Sequence, residues 1–231
     1  MQKKKTRNGK NMINKNLDEI SDGRVYELND MVRAACNDCE GCHYCCEDMG
    51  QSIILDPLDV YRLEKHLNLS FEQLLTDKLE LNMVDGMILP NLKMTADRNC
   101  CSFLNEEGRC SIHAHRPGIC KLFPLGRIYD EKGLHYFLQA DGCRKGNRGK
   151  VKVEKWLDTE NIKENQQYLV AWHDFRKLIE QIVAETEDEN TVKTITMFLL
   201  NTFFVNPYET EKEFYPQFYG RLEKIQTVLG V

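Results

Sequence analysis

No excess of basic charge marks this 231-residue chain: 31 lysines and arginines stand against 36 acidic residues, a net charge of −5. A protein that coats a nucleic-acid duplex carries the opposite balance, so nucleic acid is not expected as a partner. No long hydrophobic run is present either. The most apolar stretch, Ile195 to Val205, falls far short of the roughly 20 residues that span a bilayer, and Thr196, Asn201 and Thr202 interrupt it. Met1 to Lys10 is polar and basic, and no apolar segment of the secretory kind follows, so a cytoplasmic location is expected. Internal repeats and low-complexity tracts are lacking, as are a Ser-His-Asp arrangement, a phosphate loop and a GxGxxG pattern. Hydrolases of that kind and nucleotide-binding folds are left without support. Hydrophobic residues at 42% and charged residues at 29% exclude a disordered, collagen-like or mostly coiled-coil chain.

Cysteine is what the chain has in excess, with 10 residues. Thiols in a reducing compartment stay reduced, and crowded ones bind metal there more often than they form disulfides. The chain is also long enough to build a core without staples.

Residues 1–30 open with Lys3, Lys4, Lys5, Arg7 and Lys10 and read as a solvated, partly disordered arm. Residues 31–150 hold every cysteine and read as a metal-binding domain, and residues 151–231 as a helical portion packed on it. Asp56-Pro57, with Asp59 in the first turn, starts a helix whose apolar stripe is Val60, Leu63 and Leu67. Ser70 to Gln73 has the form of a capping box, opening a second helix with Leu74, Leu75 and Leu79. Asp85-Gly86 between two apolar runs predicts a β-hairpin over 80–93, and a second spans 125–140 with its turn at Asp130 to Gly133. Trp172, Phe175, Ile179, Ile182 and Val183 recur at helical spacing, and Thr191 to Val205 and Tyr215 to Leu229 suggest two more helices. The expected fold class is α+β: a small irregular cysteine-rich core with short hairpins and helices, then helices.

The first cysteine block contains Cys36, Cys39, Cys42, Cys45 and Cys46. Cys36, Cys39, Cys42 and Cys46 give C-x2-C-x2-C-x3-C, the bacterial ferredoxin spacing without its final proline, since Glu47 follows. On a helix, at about 100° per residue, Cys39, Cys42 and Cys46 would share a face and Cys45 would point away. Gly41 weakens that helix. A single free cysteine is usually a buried hydrophobe, but five among Asn, Asp, Glu, Gly and His do not resemble an apolar core. The second group, Cys100, Cys101, Cys110, Cys120 and Cys143, is widely spaced and implies ligands held by a folded scaffold. Structural zinc usually takes two spaced pairs, whereas a tight run with a vicinal pair suits an iron–sulfur cluster, [4Fe–4S] among the types, as one large cluster or two smaller ones.

Cys39-Glu-Gly-Cys42-His-Tyr-Cys45-Cys46, followed by Ser52 to Leu63 with Asp56-Pro-Leu-Asp59, resembles the YkgJ-type cysteine-cluster family. So do Cys101-Ser-Phe-Leu104 and Gly108-Arg-Cys110-Ser-Ile-His113-Ala-His115-Arg116-Pro117-Gly-Ile-Cys120-Lys-Leu-Phe123-Pro124. The likeness covers about residues 36–145. It implies zinc or iron chelation and eight shared cysteines: Cys39, Cys42, Cys45, Cys46, Cys101, Cys110, Cys120 and Cys143. Cys36 and Cys100 lie outside that pattern, and Lys121 stands where the family often has arginine. A related domain occurs in a flagellin lysine methylase, which implies a cluster-dependent modifying enzyme as one alternative.

The expected metal ligands are thus Cys36, Cys39, Cys42, Cys45, Cys46, Cys101, Cys110, Cys120 and Cys143. His43, His113 and His115 are candidate extra ligands; His113 and His115 would share a face on a strand. Arg116 precedes Pro117, which favours extended backbone and could turn its guanidinium toward the thiolates as a tuning group. Asp59 and Arg62 are expected to form a surface i,i+3 pair. Three functional classes stay open: a redox or metal-carrier module with a partner or electron donor, a cluster-dependent enzyme, or a structural zinc domain presenting an interaction surface. The radical-SAM spacing CxxxCxxC is not in the first block.

Overall fold

A computed structural model of the chain describes residues 17, 19–35, 42–140, 142–143 and 148–231. In chain order the strands are β1 (Met31–Ala35), β2 (Leu79–Val84), β3 (Met87–Leu92), β4 (Leu125–Asp130), β5 (Gly133–Leu138) and β6 (Gly149–Lys152). The α-helices are α1 (Pro57–Leu67), α2 (Phe71–Asp77), α3 (Gly118–Leu122), α4 (Val153–Leu157), α5 (Ile162–Glu185), α6 (Glu189–Leu200) and α7 (Phe214–Leu229). The α+β class and the helical C-terminal part are as the sequence suggests. The lysines and arginine of the basic arm lie outside the described residues. Among the described residues, no helix is long and apolar enough to cross a membrane.

The chain divides into two compact units, one of residues 1–40 and 121–166, the other of residues 41–120 and 167–231. In the first, β4 and β5 form the expected hairpin, Leu125 opposite Leu138 and Asp130 opposite Gly133. The buried face of β5 carries Leu134, Tyr136 and Leu138. Tyr26 exchanges backbone hydrogen bonds with Tyr136 at 2.8 and 3.0 Å, extending the hairpin by a bridge. β1 pairs antiparallel with β6 through Val32 and Val151, with a bulge between Val32 and Ala35. Periodicity does not announce this ribbon, because its strands are four and five residues long and far apart in sequence.

In the second unit, α1 and α2 each open with a capping box. The Asp56 carboxylate accepts the Asp59 N–H at 2.9 Å and Asp59 returns the bond to the Asp56 N–H at 3.2 Å; Ser70 and Gln73 do the same for α2. The β2–β3 hairpin turns at Asp85 and Gly86, both at positive φ (49° and 77°), as a two-residue hairpin turn requires. Residues 53–55 run along the other edge of β3, Leu55 donating to the Pro90 carbonyl at 2.8 Å and accepting no proline N–H in return.

The core of this unit is aromatic. Trp172 lies 5.0 Å from Phe203, 6.2 Å from Phe204 and 6.1 Å from Phe218 between ring centroids, and Tyr168 lies 4.7 Å from Phe218. All five rings are buried. The sequence suggests one helix from Thr191 to Val205. Instead α6 ends at Leu200 and residues Asn201–Val205 form a π turn, which buries the adjacent Phe203 and Phe204 together. Carbonyls at this widened end are met by Arg221, which donates to Thr202, Asn206 and Pro207 at 2.7 Å each and lies over the Tyr208 ring. Tyr168 Oη accepts the Leu58 N–H at 3.1 Å, satisfying a first-turn donor of α1 that the helix itself cannot.

Glu64 on α1 sits partly buried near Arg221. Burial raises its carboxyl from the ordinary 4.5 to about 7, with Glu72 adding to the rise and the Phe71 N–H and Arg221 opposing it. The folded state therefore binds this proton more tightly than the unfolded chain. Its stabilising contribution is complete below pH 4.5 and is lost as pH rises through about 7. Glu64→Gln is expected to flatten the fall in urea-unfolding free energy across that window, relative to the parent chain.

Candidate metal centre

The second cysteine group is built by short-range backbone bonding. Asn105 N–H donates to the Arg109 carbonyl at 2.9 Å, Gly108 N–H to the Asn105 carbonyl at 3.0 Å, and Arg109 N–H to Asn105 Oδ1 at 2.7 Å. This tight loop bridges Leu104 to Cys110, and the Ser111 N–H donates to the Phe103 carbonyl at 2.8 Å, so Cys101 and Cys110 flank one narrow turn. Gly108 takes φ +71° there. Thr95 N–H donates to the Cys100 carbonyl at 2.7 Å and Thr95 Oγ1 lies 3.3 Å from Cys100 Sγ.

The first block is laced onto this group. Cys101 N–H donates to the Cys46 carbonyl at 2.7 Å, Asp48 N–H donates to the Asn99 carbonyl at 2.9 Å, and Asn99 Nδ2 donates to Asp48 Oδ1 at 2.7 Å. Tyr44–Cys46 is a single 3-10 turn, and Cys42 precedes it outside any helix. The helical face imagined for Cys42 and Cys46 is therefore not formed. Cys36 and Cys39 lie outside the described residues, and Cys143 belongs to the first unit, where it is half-buried.

Six thiols of the second unit interact: Cys45, Cys46, Cys100, Cys101, Cys110 and Cys120. The Cys45 thiol is pushed above the ordinary thiol range by its hydrogen bond with Cys46 and by burial, and eased by the Arg116 charge. Burial pushes Cys101 up to about 11, with Cys110, Cys100 and Cys45 adding to the rise. Burial also raises Cys110, against the Ile112 N–H and Arg116, and raises Cys120 strongly, with Asp59, Cys101, Cys45 and Cys110 adding. Cys45, which a helical wheel directs away from its block, acts on three members of the second group, Cys101, Cys110 and Cys120.

Arg116 has the extended backbone that its proline neighbour favours, φ −59° and ψ 150°. Its Nε is buried without a hydrogen-bond partner among the described residues. His113 and His115 stand on a 3-10 turn instead of a strand, and the His115 ring stacks on His66 with centroids 3.7 Å apart. His43 faces Glu47, Nε2 to Oε1 at 3.5 Å.

Asp59 is the residue the sequence misreads. It is not half of a surface pair with Arg62 but is 4% exposed, with Oδ1 accepting the Gly118 N–H at 2.7 Å. Burial, then the neighbouring Asp56, pushes its carboxyl up to about 7. The signal was the Asp-x-x-Asp spacing, a capping box with aspartate in place of the usual Glu or Gln.

Among the described residues, no three Cys, His, Asp or Glu side chains converge on one metal position. The donor chemistry nonetheless fits a thiophilic metal. Thiols partly withdrawn from water that raise one another need a cation to ionise together, and a thiophilic metal would be such a cation.

Grouped thiols in an α+β scaffold define a cysteine-cluster protein of the metal-chelating class. The chain belongs to the CxxCxxCC family, described as "putative zinc- or iron-chelating domain", whose model matches residues 38–156, a little over half of the chain. This is the family its motifs resemble, and its description does not choose between the two metals. Comparison with curated proteins and with solved structures gives no match.

Gly108→Ala puts a side chain into the left-handed region, with its Cβ 3.0 Å from His43 Nδ1. It is expected to cost roughly 1–2 kcal/mol of unfolding free energy by denaturant titration.

Proposed function

We propose that the chain is an iron–sulfur protein serving as a redox or metal-carrier module. Cys36, Cys39, Cys42, Cys45, Cys46, Cys101, Cys110, Cys120 and Cys143 would supply its ligands. One observation carries this reading. Cys45, Cys46, Cys100, Cys101, Cys110 and Cys120 are six interacting thiols in one unit, and a structural zinc ion takes four ligands. When bound, such a cluster supplies reversible one-electron chemistry or inorganic cargo.

The chain's own residues set the conditions for it. The narrow turns at residues 46–48 and 99–110 hold Cys46, Cys101 and Cys110 in place through backbone bonds, Cys101 buried and Cys45, Cys46, Cys110 and Cys120 half-buried. Arg116 favours the thiolate forms of Cys45 and Cys110, and its unpartnered Nε–H is a donor that a ligating sulfur would accept. A redox role also requires a partner that gives or takes the electron. The second reading, a structural zinc module presenting an interaction surface, draws support from the family description, which names zinc beside iron.

Anaerobically purified protein is expected to be brown and to hold iron and acid-labile sulfide. Colourless protein with stoichiometric zinc and no sulfide would replace the first reading with the second. Arg116→Ala should keep its metal and lower the reduction potential by on the order of 60 mV, about one tenfold step of a one-electron couple. Unchanged metal content together with an unchanged potential removes Arg116 from the site.

A further inference from the structure

Asp59 does more than a helix cap needs. Its Oδ2 accepts the Asp56 N–H at 3.2 Å, which completes the capping box of α1. A residue with that duty alone stays at the surface, as Gln73 does in α2. The other oxygen, Oδ1, accepts the Gly118 N–H at 2.7 Å, from a segment distant in sequence. Gly118 is the first residue of α3, Cys120 is its third, and Arg116 stands two residues before it. Pro117 between them has no N–H to give. Spanning five residues, α3 is too short to hold itself in water, so bonds from outside the helix must fix its first turn.

We infer that Asp59 is a positioning residue, which fixes the Arg116–Cys120 turn so that Cys120 and Arg116 meet the other thiols. Burying a carboxylate beside a second one, Asp56, is costly, and a cap at the surface would avoid the cost. The burial is accounted for by the bond to Gly118. This inference rests on the reading of these thiols as a metal centre, but its geometry concerns the protein alone and can be tested without metal.

The full-length chain, as purified and after chelation, is labelled with iodoacetamide under native conditions and each cysteine is quantified by peptide mass spectrometry. Cys100 is the internal control, being buried in the same unit and held through Thr95. Asp59→Ala is expected to raise the Cys120 rate relative to Cys100 by about tenfold, the factor that loss of one hydrogen bond to a charged group allows. Asp59→Asn, which keeps an oxygen for the Gly118 N–H but removes the negative charge beside Cys120, should recover part of that change. Gly118→Pro removes the donated N–H and leaves the cap of α1 intact, so it must give the same ratio even where Asp59→Ala does not fold. Equal acceleration at both cysteines, or an unchanged Cys120 rate in Gly118→Pro, overturns the inference. Metal analysis of the same samples reads the iron–sulfur proposal separately: zinc in place of iron would defeat that proposal and leave the labelling ratio standing.

Discussion

Thiols withdrawn from water and set beside one another cannot all ionise unless a cation joins them. Cys45, Cys101, Cys110 and Cys120 obey that constraint, each raised by burial or a neighbouring thiol or both. Left to themselves, such groups would separate. They are kept together by backbone bonds that have no other evident purpose: Cys101 to Cys46, Asp48 to Asn99, and the loop closed by Asn105 and Gly108. Local choices that oppose stability while agreeing with one another are the mark of a site, and here they agree on a centre that a thiophilic cation would relieve.

The helical part of the same unit shows no such conflict. Its rings are buried against one another, each contributing roughly 1.5–3 kcal/mol by removal from water. At its irregular end Arg221 takes the Thr202 carbonyl of the π turn and those of Asn206 and Pro207 just beyond it. The link between this stable region and the strained one is α1. Tyr168 fixes its first turn through Leu58, and the same turn carries Asp59, which reaches Gly118. A helix anchored in the aromatic core thus carries the acceptor that holds a segment of the cysteine group.

What the sequence made legible was local chemistry. Asp56-Pro57, Ser70 to Gln73 and Asp85-Gly86 each specify their turn or cap within four residues, and each is found as read. What stayed hidden depends on partners far along the chain. The β1–β6 ribbon joins two short strands from opposite ends of one unit. The π turn follows from burying Phe203 and Phe204 together, which a period of 3.6 cannot express. Asp59 looked exposed because its helix neighbours explain only one of its two oxygens. Composition singled out the cysteines and motif order identified the family. Spacing alone misplaces Cys45, because a helical wheel does not describe residues that form one 3-10 turn.

Two charges then make chemically identical donors unequal. Arg116 eases ionisation of Cys45 and Cys110, while Asp59 opposes that of Cys120. Both charges reach the group through one turn, residues 116–120, with Arg116 at its start and Gly118, bound to Asp59, at its middle. Moving that turn would shift a cation, a thiol and the position of an anion relative to the other sulfurs at once. Redox potential and metal preference respond to these quantities. A short stretch bound from outside by one carboxyl thus carries charge differences that burial, the larger cause at Cys110 and Cys120, does not produce.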